Sequence, residues 1–70
     1  MSGKMPRNTR EWALRELQYA VNNLDWTVTH LASVAKTYEE LHPEISTPLL
    51  EVIVICKELQ NMILKIRGSF

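Results

Sequence analysis

From Leu14 onward, apolar residues return at alternating spacings of three and four: Leu14, Leu17, Val21, Leu24, Val28, Leu31, Ala35 and Tyr38. This is the period of an α-helix that lays one stripe against a partner, sustained for more than three heptads. Thr9 offers a capping hydroxyl at the start, Glu11 an acid in the first turn, and Pro43 pushes His42 out of the helical region at the end. A first helix over residues 9–41 is predicted. Residues 1–8 contain Gly3, Pro6 and Asn8 without periodicity and are expected to form a flexible basic arm.

A second stripe, Leu49, Val52, Cys56, Leu59, Ile63 and Ile66, has the same spacing. Thr47 followed by Pro48 is a helix-start signal, a hydroxyl cap and then a proline at the first helical position. The second helix is therefore predicted over residues 48–67, after a connector at 42–47, with Lys65 and Arg67 in its last turn and Gly68 placed to stop it. Trp26–Thr29 and Val52–Ile55 are β-branched enough to suit a strand, but both lie inside longer 3.6-residue patterns. A break at Asn22-Asn23 is the rival arrangement and would give a three-helix bundle; the stripe crosses it without losing phase.

A short connector makes the two helices antiparallel neighbours. At 1.5 Å per residue the first would be about 50 Å long and the second about 30 Å, so Leu14 and Leu17 are expected to overhang. The start of the second helix is apolar on every side: Leu49, Leu50, Val52, Ile53, Val54, Ile55 and Cys56. Such a helix lies in the middle of something. Opposite the first stripe, Trp12, Tyr19 and Trp26 recur every seven residues, a line of large aromatics that is unusual for a solvent face. The expectation is an all-α protein: an antiparallel helical hairpin that completes its core as a homodimeric four-helix bundle. Trp12, Tyr19, Trp26, Leu14, Leu17, Leu50, Ile53 and Val54 are the candidate interface. The aromatics serve either the second copy or a different protein, with a small-molecule pocket as a third use.

Composition narrows the function. With 70 residues a single core is barely sufficient, and the lone Cys56 cannot staple it. Its apolar neighbours make Cys56 a core residue rather than a nucleophile. Eight basic and eight acidic residues cancel, which disfavours a nucleic-acid binder. The charge is uneven, however: the span from Asp25 to Glu51 holds five acids against Lys36 alone, while the N-terminus is basic. Lys4, Arg7 and Arg10 are candidate anion contacts, and a nucleic-acid-associated regulator using two such arms is the alternative function. Glu39 and His42 have metal-ligand spacing, yet no further carboxylates complete a set. Neither a phosphate-binding glycine loop nor a nucleophile with a base is present. A secretory signal and a bilayer-spanning run are also missing, so a cytoplasmic protein is expected, without cofactor, metal or membrane partner. The reading is a non-catalytic module for oligomerisation and protein binding, an adaptor or regulator.

Overall fold

The computed structural model describes residues 7–70, with side chains from Thr9 onward. Helix α1 runs Arg7–Tyr38 and helix α2 runs Pro43–Gly68, and there is no strand among the described residues. Of the arm expected at residues 1–8, residues 1–6, including Lys4, lie outside them. Arg7 and Asn8, whose side chains are not described, belong to α1, which therefore starts two residues before Thr9, the expected cap.

Helix α1 passes through Asn22-Asn23 unbroken, so the hairpin, and not the three-helix arrangement, is what forms. The polar side chains that threatened the helix bond along its surface instead. Gln18 Nε2 donates to Asn22 Oδ1 (3.1 Å). The hydroxyls of Thr27, Thr29 and Thr37 donate to the carbonyls of Asn23, Asp25 and Ser33, four residues back (2.8–3.0 Å). Back-bonding of this kind satisfies each hydroxyl within the helix, at the cost of sharing a carbonyl that already accepts a ladder bond.

The boundaries differ from expectation at the connector. Helix α1 stops at Tyr38, and only residues 39–42 separate it from α2. His42, with φ −141° and ψ 72°, is the cap, and Pro43 takes the first helical position, where its missing N–H would have no partner anyway. The amides of Ile45 and Ser46 donate to the His42 carbonyl (2.9 and 3.2 Å). Pro48, expected to open the helix, lies inside it. Two prolines offered a start, and periodicity does not choose between them. Packing does: the earlier start buries Ser46, only 4% exposed, in the layer that also buries Ala35, 2% exposed. At the other end Gly68 is not a left-handed stop, since no described residue has positive φ. The amides of Ser69 and Phe70 bond back to Ile66 and Arg67 instead (2.9 and 3.3 Å), a tightened final turn.

Two bonds set the antiparallel register: Arg67 Nε donates to the Leu14 carbonyl (3.2 Å), and Gln60 Nε2 to the Val21 carbonyl (2.9 Å). Residue numbers of facing pairs therefore add to 81, which sets Val28 opposite Ile53 and Ala35 opposite Ser46. The α1 side of the seam follows the predicted stripe over Leu14, Leu17, Val21, Leu24, Val28, Leu31 and Ala35, all at least half-buried, but its predicted last member, Tyr38, is exposed where the helix ends. Because α2 has 26 residues, about 39 Å, it runs back as far as Leu14. The expected overhang of Leu14 and Leu17 does not occur.

The α2 side departs from prediction. Residues turned inward are Ser46, Leu49, Ile53, Cys56, Gln60, Ile63 and Arg67. The predicted stripe runs along the edge of this face: Leu49, Cys56 and Ile63 point in, whereas Val52, Leu59 and Ile66 are exposed. Gln60 is the polar member in the middle of the seam, between Ser46 near the connector and Arg67 at the far end. Its amide also donates to Asp25 Oδ1 (2.8 Å), so both of its N–H groups are used. Gln60→Ala is expected to lose about 2 kcal/mol, through a bond to a charged acceptor and a new gap, read as a lower urea midpoint. Gln60→Leu, which fills the space with apolar volume, should stay within about 1 kcal/mol of the parent. Equal losses in the two variants would show that the bond to Asp25, not the volume, holds the register.

Candidate protein-interaction surface

The molecule extends 56 × 20 × 14 Å, the cross-section of two helices side by side. One layer of contact is all such a body contains. Among the described residues the buried apolar ones are Val21, Ala35 and Cys56, and no side chain is wholly enclosed. Most of the large apolar residues are therefore surface, and their arrangement is what the site consists of.

On α1, Trp12, Tyr19 and Trp26 project from the face turned away from α2, with Trp26 64% exposed. Their span is about 21 Å along the helix. The Trp26 indole stacks on His30, centroids 6.0 Å apart at 27°. Beside it Asn22, Asp25, Trp26 and Thr29 line a shallow, open depression.

Helix α2 carries a second apolar line that sequence reasoning missed. Val52, Ile55, Leu59, Met62 and Ile66 follow a strict three-four spacing, and every one is exposed, Leu59 at 42%. Ile45, seven residues before Val52, prolongs the line and is also exposed. This stripe is offset by one residue, about 100°, from the face packed on α1. The hairpin thus closes on the face containing Ser46, Gln60 and Arg67, and leaves the wholly apolar one outside. The signal was present as two interleaved three-four sets; periodicity alone merged them into one.

The other predicted α2 residues separate. Leu50 and Val54 are exposed on the opposite flank, where Lys57 and Asn61 interrupt the apolar line. Ile53 turns toward α1 and is half-buried, as are Leu14 and Leu17 on the facing helix.

Little chemistry accompanies these surfaces. Cys56 is a free thiol buried in the seam. His42 Nδ1 lies 2.9 Å from Glu44 Oε1, both exposed, and the His42 ring tilts against Tyr38. Among the described residues no group of three or more His, Cys, Asp or Glu is placed to hold a metal ion, and no helix is long and apolar enough to cross a membrane. Arg10, one of the candidate anion contacts, donates from Nε to the Phe70 carbonyl (2.7 Å). Set against family models, curated proteins and solved structures, the chain shows no significant match. Its fold defines a helical hairpin.

Proposed function

We propose that this hairpin is a non-catalytic association module, which pairs with itself as a four-helix bundle and so presents a surface that organises or regulates another protein. The observation that carries this reading is the pair of unpartnered apolar lines, one on each helix, with the larger apolar face left outside the hairpin's own seam. Monomeric soluble proteins seldom expose contiguous apolar surface of this extent. A buried, unpaired Cys56 suits a reducing, cytoplasmic setting. In the alternative, the basic arm touches nucleic acid; a net charge of zero weighs against it, and salt-dependent retention on heparin would favour it.

Coupling of folding to association gives the test. Thermal unfolding followed by circular dichroism should show a midpoint that rises by several degrees between about 5 and 200 μM protein. A midpoint independent of concentration, with full helicity throughout, would remove self-association from the proposal.

A further inference from the structure

The exposed α2 line has an edge that points to its occupant. Immediately before each alternate member of the line, at seven-residue intervals, stand Glu44, Glu51, Glu58 and Lys65, all exposed. The other edge is Leu49, Cys56 and Ile63, which α1 already covers. We infer that Val52, Ile55, Leu59, Met62 and Ile66 dock the same line of a second copy of this chain, with the two α2 helices antiparallel. This rests on the proposed self-association and names the face that performs it.

Direction follows from the edges. When two helices pair in parallel along such a line, the acidic edge of one meets the opposite edge of the other. That would force Glu51 and Glu58 against a surface the partner's α1 occupies. Antiparallel pairing sets like edges together, so Lys65 of one chain lies against Glu51 of the other, twice by symmetry, while the two Glu58 carboxylates flank the axis and extend into solvent. The ion pairs add little energy but select the orientation. The line itself supplies the affinity: five aliphatic or thioether side chains per copy, with no polar interruption from Val52 to Ile66 at the contact positions. Leu59 lies close to the two-fold axis, and both copies of it are buried together. The aromatic line of α1 stays outside this contact and remains available to a different protein.

Sedimentation velocity of the full chain and three single variants tests the assignment. Leu59→Lys alters an exposed side chain of the hairpin, so helicity should be retained while the dimer dissociation constant rises at least about a hundredfold. Trp26→Ala should leave dimerisation within about threefold of the parent. In Val52→Cys the two new thiols sit at least about 15 Å apart in an antiparallel pair, so oxidation should yield no covalent dimer. A Leu59→Lys chain that dimerises like the parent overturns the inference. If Trp26→Ala is then the variant that dissociates, self-association survives but through α1. Efficient disulfide formation by Val52→Cys overturns the antiparallel arrangement. A monomeric parent at 200 μM overturns the inference and the proposed function together.

Discussion

Ala35→Leu is expected to remove a substantial share of the hairpin's stability. Ala35 is 2% exposed and stands opposite Ser46, 4% exposed, so two small side chains fill the layer nearest the connector. Three extra carbons there have nowhere to go, because residues 39–42 are too few to let the helices splay. Overpacking of this kind typically removes about 1–3 kcal/mol. A 70-residue fold at roughly 0.05–0.15 kcal/mol per residue has about 3–10 kcal/mol in all. The urea midpoint should fall sharply, while Ala32→Leu, at an exposed α1 position, should hardly change it. Equal tolerance at both positions would mean that the closed end of the hairpin is not where the helices approach most tightly.

Leu31→Ala and Leu59→Ala should part company in the same way. Leu31 is half-buried on the face turned to α2, and its truncation is expected to cost about 2 kcal/mol, the low end for a buried leucine. That loss belongs to the hairpin itself and should persist on dilution. Leu59 faces outward, so its truncation should leave a dilute sample almost unchanged and lower the melting midpoint only in concentrated ones. Matching losses at low concentration would return Leu59 to the intramolecular seam, where its spacing alone had put it.

That contrast marks what was legible in the sequence. The α1 seam could be read directly, because Leu14 to Ala35 is one apolar line. It is bordered on one side by Arg15, Gln18, Asn22, Asp25 and Thr29 and on the other only by the small or single apolar residues Ala13, Ala20 and Val34 among polar ones. The continuity of α1 was also readable, since the line keeps phase across Asn22-Asn23. On α2 the reading failed for a physical reason: two three-four lines lie one residue apart, and hydrophobicity favours the one that stays outside. The inward line is recognisable only after Gln60 and Arg67 are seen to bond the α1 backbone. The start of α2 was misplaced because Thr47-Pro48 is a good local signal that tertiary packing of Ser46 overrides. Of the candidate surface, the aromatic line was visible from its seven-residue recurrence, while Ile53 was grouped with Leu50 and Val54 by adjacency in sequence, although a helix sends it to another side.

Association is the point on which the functional account stands, and the native mass of the unaltered chain addresses it most directly. Size exclusion coupled to light scattering, across loading concentrations from about 5 to 200 μM, should return about 16 kDa at the upper end, twice the 8.1 kDa chain. An 8.1 kDa species that remains fully helical over the whole range would contradict the account, since a lone hairpin would then be stable with its most apolar face in water.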